Sequence, residues 1–145
     1  MSDEIEIAGQ GASLKVEVLR YENISAQDLS DANWLSCSVQ ARVGSFSGNF
    51  SGSFTTNDFA QFRDELRELL ARKSGTASFL TDEEQLRINL EVERTGTVQI
   101  EGSAQTSGMP QACLSFSFES DMSFLDQTLR DLEKLVKSFP VKEKV

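Results

Sequence analysis

The side chain that does most acid–base work near neutral pH is missing: the chain has no histidine. Its absence removes the commonest zinc ligand and the ordinary Ser-His-Asp and Cys-His nucleophile pairs. What remains for chemistry is a set of carboxylates and two thiols. Asp82-Glu83-Glu84 falls in a polar turn, and Glu91 and Glu93 project from one face of a strand. Separated acids can serve a glycosidase or a metal-dependent hydrolase, but only inside a pocket that displaces their pKa or coordinates an ion. These acids sit where solvated turns and outer faces are expected, so ordinary surface charge is favoured over a small carboxylate-dependent hydrolase. Cys37 and Cys113 lie far apart with no visible activator, and the simplest state for them is two reduced thiols in or near a sheet, with a disulfide as the alternative. The Asp/Asn spacing of a calcium loop is absent, as is a Gly-rich loop ending in Lys-Ser or Lys-Thr. Gly48-Asn49-Phe50-Ser51-Gly52 has its glycines but no cation to hold a phosphate. Phe46, Phe50 and Phe54 could stack bases, yet no Lys or Arg is interleaved to follow a nucleic-acid backbone. No catalytic, cofactor-binding or metal-ligating set is therefore assigned.

Charge says more about partners. Against 14 Lys and Arg stand 23 Asp and Glu, a net charge of -9. Asp3, Glu4, Glu6, Glu17, Glu22, Asp28 and Asp31 face only Lys15 and Arg20 before Trp34. Such a field repels nucleic acid and favours a basic protein partner, although it also serves solubility alone. Met1-Ser2-Asp3-Glu4-Ile5 lacks the basic start and apolar stretch of a secretory signal, and no apolar run nears the ~20 residues that span a bilayer. A cytoplasmic location without membrane attachment is expected.

These residues must be placed by a scaffold, and 145 residues with ten phenylalanines suffice for one domain with its own core. Leu14, Val16 and Val18 alternate with Lys15, Glu17 and Leu19, and Leu35, Cys37, Val39, Ala41 and Val43 alternate with Trp34, Ser36, Ser38, Gln40 and Arg42, the period of half-buried strands. Short strands are also expected around Glu4-Ile7 and Thr76-Leu80, and a loop or a single helical turn at 23–31. After a turn at Gly44-Ser45, the run Phe46 to Phe54 places three rings and two glycines on one strand face, beneath something bulky such as a helix. A flexible linker is the rival explanation, which the regular ring spacing opposes. Phe59, Phe62, Leu66, Leu69 and Leu70 recur at helical spacing within Asn57–Ala71, capped at Thr55, Thr56 or Asn57. Leu86, Ile88, Leu90 and Val92 pair with Val98, Ile100 and Gly102 across Arg94-Thr95-Gly96, the strongest hairpin in the chain. Leu114, Phe116 and Phe118 form another strand, and Ser120 or Asp121 caps a second helix. That helix carries Phe124, Leu125, Thr128, Leu129, Leu132, Leu135, Val136 and Phe139 to Pro140, ahead of a frayed tail. The two strand-to-helix passages hint at duplication, but their residues match only loosely, and no repeat or boundary is read.

The expected fold is α+β: a single antiparallel β-sheet packed against two amphipathic helices, with one wet face. In the order and spacing of its motifs the chain resembles the WapI family of immunity proteins. These protect bacteria from the toxic C-terminal domains of WapA-type contact-dependent, polymorphic toxins. The resemblance runs from about Asn33 to Pro140. It is carried by Asn33-Trp34-Leu35, the run from Gly44 to Phe50, Leu66 and Leu69, Leu86-Arg87-Ile88-Asn89-Leu90, Gly96 to Gly102, Leu114 to Asp121, Phe124-Leu125 and Phe139-Pro140. It implies an intracellular protein that binds and neutralises a toxin domain in a stoichiometric complex, without turnover. Combined with the charge, it points to a basic toxin domain, of which a nuclease is one kind, met by Glu91, Glu93 and Glu101 and by the N-terminal acids Asp3, Glu4 and Glu6. The alternative is an interaction domain that forms a homodimer through an exposed sheet edge or the Gly/Ser face.

Overall fold

In the computed structural model, which describes residues 3–81 and 83–144, eight strands form two antiparallel sheets. The first contains β1 (Asp3–Gly9), β2 (Ala12–Tyr21), β3 (Trp34–Val43) and β4 (Phe46–Thr55), in chain order. The second contains β5 (Gly75–Leu80), β6 (Leu86–Val92), β7 (Thr97–Gln105) and β8 (Cys113–Asp121). A single helical turn, α1 (Leu29–Ala32), precedes β3. Two helices of 17 residues each, α2 (Thr56–Arg72) and α3 (Met122–Ser138), follow directly on β4 and β8. The antiparallel α+β class is as expected, but the single sheet is not.

Local chemistry explains each element. Gly11 and Gly44 take the positive φ that two-residue hairpin turns need, closing β1 onto β2 and β3 onto β4. Gly96 takes a positive φ in the longer turn of the expected hairpin between β6 and β7. Thr55 ends β4 and caps α2: its hydroxyl accepts from the Asp58 amide at 3.1 Å, while the Asp58 carboxylate accepts from the Thr55 amide at 2.9 Å. Asp121 plays the same part between β8 and α3, accepting from the Phe124 amide at 2.8 Å.

Two sheets arise because each helix carries the chain away from the strand it leaves, by roughly 25 Å at 1.5 Å per residue. Each then seals the open edge of another strand. On α2, Glu65 accepts from the Ser78 amide of β5 at 3.0 Å; on α3, Thr128 donates to the Glu6 carbonyl of β1 at 2.7 Å. The helix of each half thus covers the first strand of the other half. Periodicity marks strands and their faces but does not say which edges meet.

The chain runs through the same plan twice, four strands and a helix. Buried Phe59, Phe62, Leu66 and Leu69 of α2 correspond to Leu125, Thr128, Leu132 and Leu135 of α3, at the same 66-residue interval that separates Arg67 from Glu133. Arg67 and Glu133, one from each helix, touch each other at 3.1 Å. The repeat is one of topology, which explains why the residue patterns match only loosely.

Both inner sheet faces and both helix stripes share one core. At its centre Phe79 packs against Phe54, Phe59 and Phe62, with ring centroids 5.7, 5.1 and 5.6 Å away. Each buried ring or Leu contributes about 1.5–3 kcal/mol. Of the three rings expected beneath a helix on β4, only Phe54 is so placed, its ring lying over Gly52. Phe50 is half-buried and Phe46 is 69% exposed. The tail beyond Pro140 is docked rather than frayed: Asn33 accepts from the Lys142 amide at 2.7 Å and donates to its carbonyl at 3.1 Å. The Lys142 ammonium also lies 3.9 Å from the Tyr21 ring centre. Val145 lies outside the described residues.

Candidate partner-binding surface

The acids singled out from sequence fall on two sheets. Glu91 and Glu101 project from the outer face of the second sheet, where both are exposed, and Glu93 follows β6 at the start of its hairpin turn. Antiparallel register places Glu91 opposite Gln99, and Gln99 opposite Glu119 of β8. Gln99 donates to the Glu119 carboxylate at 3.0 Å, so Glu91 and Glu119 flank one amide. Glu119 was not singled out from sequence. Its strand parity was legible, but not the order of strands that carries it into this row.

Glu101 is the least free of the three predicted acids here. It accepts from both terminal nitrogens of Arg87, at 2.9 and 3.3 Å, and from Asn89 at 2.7 Å. The hydrogen bond from Arg87, with that from Asn89, holds its pKa below the usual carboxylate value. Asn89 in turn accepts from the Ser78 hydroxyl at 2.6 Å. This row is a cross-strand polar network on a solvated face.

The N-terminal acids do not form one group. Glu4 and Glu6 share the outer face of the first sheet, whereas Asp3 has the parity of buried Ile5 and Ile7 and turns the other way. Glu6 lies opposite Lys15 and accepts from the Ser13 hydroxyl at 2.6 Å. Glu4 lies directly opposite Glu17, a like-charge pairing that costs stability.

Little resembles a reaction centre. Cys37 is buried and Cys113 exposed, both as free thiols. Burial pushes the Cys37 thiol up to about 12, which disfavours its thiolate. Glu83 and Glu84 are exposed, while Asp82 lies outside the described residues. Among the described residues no group of His, Cys, Asp and Glu side chains could hold a metal ion. No helix among them is long and apolar enough to cross a membrane.

A family model, the immunity protein WapI-like family, matches residues 5–140. The chain belongs to that family. The match begins in β1 and ends just beyond α3, so it takes in both sheets, including strands ahead of Asn33. Membership in this WapI-like family makes the chain an immunity protein, with a toxin-neutralising role, and not an enzyme. No curated protein matches it.

Proposed function

We propose that this WapI-like protein neutralises a basic toxin domain, of nuclease type, inside the cell, by a 1:1 complex formed on the outer face of the second sheet. The observation that carries this reading is the exposed row in which Glu91 and Glu119 flank Gln99, a paired-acid surface that no helix covers. Glu93 extends the row, and Glu101 contributes a carboxylate already oriented by Arg87 and Asn89. Glu4 and Glu6, with Asp3 at the edge, add to the field that steers a cationic partner towards the molecule.

Binding to a basic surface would dehydrate and pair these carboxylates while covering the toxin's own substrate-binding cations. Neutralisation then follows from occupancy rather than chemistry. The test mixes the purified protein with the toxin domain encoded beside its gene. A 1:1 complex by light scattering and loss of toxicity are expected. The double variant E91Q/E119Q should slow association at least tenfold at low salt and flatten its salt dependence. Failure to bind every neighbouring toxin domain would sink the proposal.

A further inference from the structure

The two halves meet differently at the two ends of β4 and β8. Near their C-terminal ends both strands are tied across: the Ser53 amide donates to Gln85 at 3.1 Å, and the Gln10 amide donates to the Glu119 carbonyl at 3.0 Å. Towards their N-terminal ends the two strands lack such ties among the described residues. Each is the last strand of its sheet, and among the described residues no cross-sheet backbone hydrogen bond joins 46–51 to 113–117. A groove of about 250 Å³ opens between them. Buried Ala41 and Ala104, with Gly48, keep it deep, while Phe46, Phe50 and Leu114 line it with larger apolar groups. Ala41 faces Gly48 and Ala104 faces Leu114 in the two registers, so each half contributes one such pair to the groove.

Among the described residues no charged one lines this groove. A phosphate or sugar would find no counter-charge there, and the volume falls below the roughly 300–1,000 Å³ of small-molecule sites. It suits one or two apolar side chains. Beside it runs a strand edge of the kind that pairs with an incoming chain. Side chains of an added strand alternate, so those pointing inward would enter the groove while the others lie over the outer face of β8. There they would meet small Ser115 and Ser117, the latter opposite Glu101 of β7, with a net charge of -9 behind them. That complementarity selects an extended segment alternating apolar residues with Lys or Arg.

We propose that such a segment of the neutralised toxin adds to the open edge of β8 over residues 113–117, seating its apolar side chains between Phe46, Phe50 and Leu114. This deepens the immunity reading and rests on it. Exposed Cys113 at the groove mouth supplies a probe that needs no mutation, since Cys37 is buried.

The experiment compares free protein with its complex with the neighbour-encoded toxin domain. Amide exchange at 113–117 should slow at least tenfold in the complex. A bulky maleimide on Cys113, or Phe46→Asp at a position 69% exposed, should each weaken binding at least tenfold without altering the melting temperature. A complex of undiminished affinity with both modifications, and unchanged exchange at 113–117, overturns the strand addition while leaving the acidic-face reading intact. A free protein that is dimeric, with Phe46→Asp making it monomeric, assigns the groove to a second copy and also overturns it. If no neighbouring toxin binds at all, both proposals fall together.

Discussion

At the scale of single residues, Glu4 and Glu17 are the informative pair. Two carboxylates set directly opposite each other across β1 and β2 repel, and cross-strand pairings of this kind are worth roughly 0.2–1 kcal/mol. A scaffold selected only for stability would gain by neutralising one of them. Glu4→Gln is therefore expected to raise stability by about 0.5 kcal/mol in a denaturant titration, within that range. The same change should slow association with a basic partner at low salt, because one unit of steering charge is lost. Stability and association would then move in opposite directions. A variant that is both less stable and unchanged in association rate would show that this pair serves neither purpose. Glu101 contrasts with it: Arg87 already compensates its charge and Asn89 donates to it, so a neutral substitution there removes hydrogen bonds as well as charge.

At the scale of elements, Asn33 joins parts that are remote in sequence. Its side chain donates to the Leu29 carbonyl of α1 at 2.8 Å and accepts from the Thr56 hydroxyl of α2 at 2.6 Å. It also clasps Lys142 beyond α3. Asn33→Ala should cost about 2–3 kcal/mol, from several hydrogen bonds at about 1 kcal/mol each, and should speed amide exchange at Lys142. A loss below about 0.5 kcal/mol would mean that water replaces these bonds freely. Such a hub is not legible in sequence, because an asparagine before a strand reads as a turn residue. The elements themselves were legible: alternation located the strands, and steps of three and four located α2 and α3. The number of sheets was not, since α2 returns the chain to a new edge and its Glu65 seals that edge from a distance only the fold supplies. The same limit hid Glu119 from the acidic row. It also hid the groove, because Phe46 and Phe54 look equivalent on a strand of period two while only Phe54 has a helix and Phe79 to cover it.

At the scale of the whole molecule, the exchange of helices between halves decides how the protein unfolds. Because α2 seals β5 and α3 seals β1, neither sheet keeps its edge closed by its own helix, and one core runs through both. A break anywhere in that core should be felt everywhere, as a single cooperative transition. Leu132, fully buried on α3, tests this against Trp34, which begins β3 in the other half. Leu132→Ala should destabilise by about 2–5 kcal/mol, the usual cost of a core cavity. If the halves fold as one, the midpoint seen by Trp34 fluorescence shifts by the same amount as that seen by helical circular dichroism. If they fold separately, α3 unfolds at lower denaturant while the environment of Trp34 persists, and two transitions appear. The interlocked arrangement predicts coincident curves, since losing α3 exposes β1 and, through β2, the sheet on which Trp34 sits.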